Sequence, residues 1–135
     1  MSEINEAAHT QPAFAEFLGL KITSVSPERV TAELKARGEL NNRHGIMHGG
    51  AIMALADNLG GTATTANLKP GQTTTTIESK TNFFAAVPIG DTAYAECVAL
   101  HRGRSTMVWQ TRITRGDGRL CALVTQTQMV LNREK

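Results

Sequence analysis

Residues 49–66 are the stretch that most restricts how this chain can fold. Their sequence, GGAIMALADNLGGTATTA, has no proline, is rich in alanine, leucine and methionine, and is long for a single strand. This composition predicts one long helix. Apolar residues fall on nearly every side of that helix, which predicts burial all round. The glycine pair Gly60-Gly61 either weakens its far end or lets another part of the chain come close.

The residues that flank this helix alternate between apolar and polar side chains, a pattern typical of β-strands. Alternating runs occur before the helix at 21–26 and 29–36, and after it at 73–84, 91–101, 104–115 and 119–131. A short helix is predicted over 12–18, with Gly19 just past its end. Asp117-Gly118 indicates a hairpin between the last two runs. The fold class is therefore α+β, with an antiparallel sheet folded around one helix.

Length and charge limit the class of protein further. With 135 residues, 41% of them hydrophobic and 19% charged, the chain is expected to form a single globular domain over 1–135, with a flexible N-terminus over 1–11. The net charge of +2, from 14 basic and 12 acidic residues, is too balanced for a dedicated nucleic-acid binder.

The N-terminus and the cysteines indicate where the protein acts. Residues 1–11 are polar and carry Glu3 and Glu6, unlike a secretory signal, and no run approaches the ~20 apolar residues of a membrane span. Cys97 and Cys121 lie inside predicted strands, where buried free thiols are favoured over a disulfide. The sequence therefore predicts a soluble, cytoplasmic protein with neither a membrane nor a nucleic acid as partner.

His48 and Asp57 are the two ionisable side chains between residues 45 and 66. Asp57 lies in the middle of the apolar helix, where a bare carboxylate costs several kcal/mol unless it is hydrogen-bonded, paired or protonated. A buried carboxylate of this kind suits a general base or a nucleophile, although Asp57 could also simply face water at an edge. At the predicted start of the helix, the amide of Gly49 or of Gly50 could polarise a carbonyl group.

The spacing of His48 and Asp57 restricts how they could work together. They are nine residues apart, which in a helix corresponds to about 900° of rotation and a rise of roughly 13 Å. One copy of the helix cannot place both side chains on the same substrate atom. If both serve one site, that site is shared between two chains, which predicts a homodimer with symmetric composite sites.

Other kinds of site are less well supported. His44 and His48 could ligate a metal, but Gly45 between them and the lack of an evident third ligand argue against it. The chain has no G-x-S-x-G nucleophile motif. The sequence thus predicts no metal. The basic cluster at 101–105 is either solvated surface or a phosphate contact at the rim of a site.

Residues 42–58, NRHGIMHGGAIMALADN, resemble the signature of the hotdog-fold acyl-CoA thioesterases, in the PaaI-type branch named for phenylacetate degradation. The shared pattern is N-x-x-G-x-x-H-G-G with an acid seven residues after the second glycine. Residues 76–84, TIESKTNFF, are similar to the family's strand after the helix, and the resemblance extends over about 14–131. It implies a curved antiparallel sheet around the long helix, homodimers with the active site at their interface, and tetramers made of two such dimers.

The resemblance also implies an activity, the hydrolysis of an aryl- or fatty-acyl-CoA to the free acid and coenzyme A. Asp57 would act as general base or nucleophile, and the Gly49 amide would bind the thioester oxygen. Asn42 and His48, from the chain opposite Asp57, would position the thioester and the water. No cofactor is implied, because coenzyme A is part of the substrate.

Further residues are assigned by the same resemblance. Thr76, or its neighbour Thr75, would stand near the catalytic acid, and substrate contacts would come from Gly50 and from the turn Arg102-Gly103-Arg104. Two rival hypotheses are a non-catalytic acyl-CoA-binding domain, which would not need Asp57, and a hotdog dehydratase. The acyl group and the choice between coenzyme A and acyl-carrier protein stay open.

Overall fold

The computed structural model describes residues 4–133 and places the long helix against one face of a six-stranded antiparallel sheet. The helix, α2, spans Gly49–Ala66, the range predicted from its composition, and a short helix, α1, spans Ala13–Leu18. The strands are β1 (Lys21–Val25), β2 (Arg29–Lys35), β3 (Gln72–Phe83), β4 (Thr92–Arg102), β5 (Thr106–Thr114) and β6 (Leu120–Asn132). The predicted α+β fold is confirmed.

The strand order in the sheet is β1-β2-β4-β5-β6-β3, so the chain crosses the sheet through α2 before it returns as β3 at the far edge. The predicted hairpin joins β5 to β6, and Gly118 takes the left-handed conformation (φ +87°) that its turn requires. Within the described part of the chain, β3 pairs with β6 alone, which leaves its other edge open.

β3 carries a β-bulge that matters for the site. Its register with β6 pairs Thr76 with Gln128 and Glu78 with Thr127, so Ile77 is an extra residue in β3. The extra residue reverses which side chains of β3 face the helix.

The core lies between α2 and the inner face of the sheet. Strand alternation is confirmed on β5, whose inward residues Met107, Trp109, Thr111 and Ile113 are all buried. Trp109 is the largest fully buried side chain, and its Nε1 donates a hydrogen bond to Thr64 Oγ1 of α2 at 2.8 Å. Burying the indole is favourable here because its one donor has a partner.

Cys97 and Cys121 are free and buried, as predicted. Burial raises the pKa of the Cys97 thiol to about 11, and the neighbouring Thr111 hydroxyl opposes part of that shift. Within residues 4–133, none of the helices combines the length and apolar character that crossing a bilayer requires.

The prediction that α2 is buried on all sides is wrong for a single copy of the chain. One stripe of the helix faces solvent or is only half-buried, and we call it the outer stripe: Gly50, Met53, Ala54, Asp57, Asn58, Gly61 and Thr65. These positions recur every three or four residues, so they share one face of the helix. The sheet covers the opposite face, and the apolar composition of α2 does not distinguish the two.

The structure describes secondary structure within the segment 1–11, for which the sequence predicts flexibility. Glu6–His9 forms a 3-10 helix that contacts α2, and Ala8 within it is buried. Asn5 anchors this segment to the end of α2, because its backbone amide donates to the Ala66 carbonyl and its side chain donates to the Leu68 carbonyl. Residues 1–3 lie outside the described range.

Candidate active site

His48 caps the N-terminus of α2 and determines which amides there are free. Its Nδ1 accepts a hydrogen bond from the Gly50 amide at 2.8 Å, and its carbonyl accepts one from the Ala51 amide at 2.9 Å. Among the hydrogen bonds within residues 4–133, none engages the Gly49 amide. Of the two glycine amides that the sequence left open, Gly49 is thus the available donor, whereas the Gly50 amide is occupied.

A cavity of about 290 Å³ lies beside the Gly49 amide. Asn42, Ile52 and Phe83 are among its lining residues. A Cβ atom on Gly49 would lie 3.3 Å from Phe83 Cζ, so any side chain at this position would crowd the approach to the amide. The helix dipole adds a partial positive charge, which makes this cavity suited to a carbonyl or other electron-rich oxygen.

Asn42 shapes the loop that leads into the helix. Its Oδ1 accepts hydrogen bonds from the His44 amide at 2.7 Å and from the Ile46 amide at 3.3 Å. This side-chain turn holds the loop against the cavity. Asn42, His48 and Gly49 are therefore brought together at one end of α2.

Asp57 lies about two turns further along α2, on the outer stripe. Thr76 Oγ1 of β3 donates a hydrogen bond to Asp57 Oδ1 at 2.8 Å, so Thr76 rather than Thr75 contacts the acid. Asp57 is exposed, and the expectation of a desolvated carboxylate inside an apolar helix is therefore wrong for the single chain. The carboxylate lies on the uncovered face, where water and Thr76 both solvate it.

A second cavity, of about 360 Å³, opens beside Asp57. Hydroxyl groups dominate its polar lining, with Thr74, Thr75 and Thr76 on β3 and Thr62 and Thr65 on α2. The N-terminal segment forms another wall through Ala7, Ala8, Thr10 and Pro12. A substrate group in this cavity would lie between the helix, the edge strand and that segment.

The two halves of the site do not meet within one chain. Gly49 and Asp57 are eight residues apart on one straight helix, which corresponds to a rise of about 12 Å. The lining residues that the two cavities take from 4–133 do not overlap.

The sequence-based interpretation missed the buried polar residues behind Asp57. Gln126 and Gln128 of β6 have 0% and 1% of their surface exposed. Gln128 Nε2 donates to Thr76 Oγ1 at 2.6 Å and to Gln126 Oε1 at 2.6 Å. A signal was present, because both glutamines occupy the inward face of the alternating run 119–131, where an uncommitted amide is costly.

The turn Arg102-Gly103-Arg104 lies away from both cavities, near the C-terminal end of α2. Arg102 Nη1 contacts Asn67 Oδ1 at 3.3 Å and the Pro27 carbonyl at 3.4 Å, and Arg102 also faces Glu28 at 4.0 Å. Arg102 is thus held by its own chain although it is exposed, and Arg104 is exposed as well.

His44 and His48 line one open cavity together with Arg43. In the described range 4–133, no three histidine, cysteine, aspartate or glutamate side chains are grouped to hold an ion.

The architecture and the helix-borne site together define the class of protein, the hotdog fold. The structure of the E. coli PaaI protein from the phenylacetic acid degradation operon superposes with a TM-score of 0.87, over 95% of this chain and 91% of that chain, at 23% sequence identity. At that identity the likeness shows the fold alone.

The sequence comparisons identify the family. The family described as the Thioesterase superfamily matches residues 44–122, so the chain belongs to the thioesterase superfamily, and its resemblance to the hotdog-fold thioesterases is confirmed. A 1,4-dihydroxy-2-naphthoyl-CoA hydrolase of Listeria monocytogenes is 28% identical over 121 residues, which is 89% of this chain and 97% of that protein. The proofreading thioesterase EntH of Cronobacter turicensis is 30% identical over 106 residues, 78% of this chain and 77% of the relative. The protein is a thioester hydrolase.

Proposed function

We propose that the protein hydrolyses the thioester of an aryl- or fatty-acyl-CoA to the free acid and coenzyme A, at a site assembled from two copies of the chain. One observation carries the proposal. A single helix presents a free amide at Gly49 and an accessible, hydrogen-bonded carboxylate at Asp57, each beside its own cavity. The Listeria relative, which is named as a hydrolase of a CoA thioester, supports this substrate class.

The two groups supply what thioester hydrolysis needs. The Gly49 amide donates to the carbonyl oxygen and stabilises the negative charge that develops there. Asp57 then either takes a proton from water, whose oxygen bonds to the carbonyl carbon, or attacks that carbon itself and forms an anhydride that water hydrolyses. In both routes the carbon–sulfur bond breaks and the thiolate leaves, with no metal or bound cofactor taking part.

A second copy is required because the amide and the acid of one chain are too far apart. We propose that Asn42, His48 and Gly49 of one copy face Asp57 and Thr76 of the other. The open edge of β3 supports this arrangement, since it is 12 residues long and exposes 53% of Ile77. An open edge carries unpaired backbone amides and carbonyls, and sheets commonly cover such an edge by pairing.

Two such dimers are proposed to associate as a tetramer. Helix α1 leaves Phe14 and Phe17 61% and 76% exposed, which provides an apolar surface for a second contact between copies. We also propose that the protein acts in the cytoplasm, in keeping with the buried free thiols of Cys97 and Cys121.

The coenzyme A moiety is proposed to lie along the turn 102–104. Arg102 and Arg104 are both exposed, and Arg104 is proposed as the phosphate contact because Arg102 already contacts Asn67 and Glu28. Gly103 keeps the turn tight, since a Cβ atom there would lie 2.5 Å from His101 Nε2. Gly50 contributes space beside His48 rather than an amide, because its amide already donates to that side chain.

The proposal is tested by following thiol release from a panel of aryl- and fatty-acyl-CoA thioesters. We expect Asp57→Asn to lower kcat by at least about 100-fold, the usual contribution of a positioned general base, while light scattering shows an unchanged oligomer. Asp117→Asn is the matched control, because it makes the same change in an exposed hairpin turn and should leave kcat within about two-fold.

Two outcomes would contradict the proposal. If Asp57→Asn hydrolyses as fast as the wild type, the acid has no catalytic part. If the wild type binds acyl-CoA without turnover, the non-catalytic binding domain becomes the better description. Incubation with crotonyl-CoA also separates hydrolysis, which frees coenzyme A, from hydration, which leaves the thioester intact.

A further inference from the structure

A chain of hydrogen bonds connects the backbone of α2 to Asp57 through two buried glutamines. We call it the glutamine relay. It runs from the Ala56 carbonyl to Gln126, then to Gln128, to Thr76 and finally to Asp57 Oδ1. Because Gln126 and Gln128 are almost completely buried, neither amide can exchange these partners for bulk water.

The relay has only one consistent direction. The Ala56 carbonyl can only accept, so the Gln126 contact at 2.7 Å must be made by the amino group of that side chain. The Gln126 carbonyl oxygen therefore faces Gln128 and accepts from its amino group at 2.6 Å. The second hydrogen of the Gln128 amino group is then directed at Thr76 Oγ1, and the Gln128 carbonyl oxygen accepts from Thr74 Oγ1 at 3.0 Å.

This direction determines what Thr76 can do. Its hydroxyl oxygen already accepts from Gln128, so its single hydrogen is left for Asp57 Oδ1. A hydroxyl without such a donor behind it could rotate and serve as acceptor or donor to any neighbour. The relay removes that freedom. Oδ2 of Asp57 accepts no hydrogen bond from residues 4–133, so it is the uncommitted oxygen of the carboxylate.

Gly60 makes the relay possible. A Cβ atom on Gly60 would lie 2.2 Å from the Gln126 side chain, which is far inside contact distance. The glycine therefore lets the Gln126 amide reach the Ala56 carbonyl on the helix. This gives a physical reason for the first glycine of the Gly60-Gly61 pair, whereas Gly61 has open space where its Cβ would be.

We propose that Gln128, supported by Gln126 and Gly60, is a positioning residue that fixes the Thr76 hydroxyl as a donor to Asp57. The proposal rests on the function proposed above, since it assigns the relay to the thioesterase site. Gln128 contributes to the lining of the cavity beside Asp57, but only 1% of its surface is exposed and its Nε2 donates to Thr76, so it acts through that hydroxyl.

A double-mutant cycle tests this assignment. We expect Gln128→Met, which keeps the length of the side chain but removes its donor, to lower kcat about ten-fold with KM within about two-fold. Thr76→Val should have a comparable or larger effect. In the Thr76→Val background, Gln128→Met should change kcat less than about two-fold, because the group it orients is already gone.

A purely structural role predicts a different pattern. If Gln128 only filled the core, its effect on kcat would be the same with Thr76 or Val at position 76, and that additivity would overturn the proposal. Gln110→Met is the matched control, since it places the same substitution on the outward face of β5, between Trp109 and Thr111. It should leave kcat within about two-fold. Thermal unfolding of each variant checks that it is folded.

Neutron diffraction from the deuterated wild-type protein provides a readout that does not depend on activity. We expect the Thr76 hydroxyl deuterium to point at Asp57 Oδ1 and both Gln128 amino deuteriums to point at Thr76 and Gln126. A deuterium that points from Thr76 towards Gln128 would overturn the relay. If the wild type hydrolyses no thioester, the proposed function fails, and the neutron map still decides the direction of the relay.

Discussion

The two halves of the candidate site use different kinds of functional group. At the Gly49 end, the functional group is a backbone amide whose position follows from the start of a helix and its cap, all within a few residues. At the Asp57 end, the functional group is a side chain held by residues that lie 19 to 71 positions away in the sequence, on β3 and β6. The first half depends on local structure, and the second depends on the assembled sheet.

Because of this difference, the two halves of the site tolerate different substitutions. Every residue except proline keeps the backbone N–H, so other substitutions at the helix start act by filling space beside the amide or by changing the helix cap. A network of side chains loses its function when any member is displaced, because each buried donor needs its acceptor. Substitutions in the two halves should therefore separate effects on stability from effects on turnover.

The largest expected effect comes from Gly60→Ala, at the Asp57 end. The new Cβ would lie 2.2 Å from Gln126, so the buried amide must move and lose its bond to the Ala56 carbonyl. We expect the free energy of unfolding to fall by about 2–3 kcal/mol, as for other overpacked cores, together with a loss of kcat. Urea denaturation measures the first quantity.

Gly61→Ala is the control for this substitution on the next residue of the same helix. Its Cβ would meet nothing within 4 Å, and alanine is the better helix former by up to ~1 kcal/mol. We expect Gly61→Ala to be neutral or stabilising. Equal losses of stability in the two variants would show that helix propensity, and not contact with Gln126, explains the glycine pair.

Gly49→Ala, at the other half of the site, should lower activity more than it lowers the free energy of unfolding. Its Cβ would lie 3.3 Å from the Phe83 ring and narrow the approach to the amide, so we expect kcat/KM to fall about ten-fold. The free energy of unfolding should stay within about 1 kcal/mol, because the helix gains an alanine. Replacing Phe83 by leucine in the same variant should restore part of the activity, and its failure to do so would argue against crowding as the cause.

The smallest effect is expected from replacing His48, which caps the N-terminus of α2. His48→Ala removes the Nδ1 acceptor of the Gly50 amide and should lower the free energy of unfolding by about 1 kcal/mol, measured by thermal denaturation. His48→Asn keeps a capping oxygen and should recover most of that stability. Identical stability in the alanine and asparagine variants would show that the cap contributes nothing.

Local patterns in the sequence predicted most of the fold. The helix at 49–66 matched its observed bounds, and each strand was placed within about two residues, because alternation and helix composition are local properties. The prediction that His48 lies at the start of the helix followed from the same local reasoning. The N-terminal segment was missed because its 3-10 helix is short and is held by long-range bonds from Asn5.

The Asp57 half could be predicted only in part. The acid is visible as a charge in an apolar stretch, and Thr76 followed from a family resemblance rather than from spacing. The glutamines were not predicted, since the sequence shows that 126 and 128 point inward without showing that β6 lies beside β3. Burial of α2 was overestimated because its apolar composition does not distinguish the face that packs on the sheet from the outer stripe.

The bulge at Ile77 divides β3 into two parts that present different side chains to α2. Before it, the even-numbered Thr74 and Thr76 lie on the helix-facing side of β3, opposite Gln128 and Val130. After it, the odd-numbered residues take that side, and Phe83 reaches the start of α2 beside Gly49. The single extra residue changes which alternate side chains face the helix, so the first half of the strand presents Thr74 and Thr76 and the second half ends with Phe83. Because this change depends on the number of residues in β3, a substitution cannot produce it. Only inserting or deleting a residue would exchange the side chains that β3 presents to the two ends of the helix.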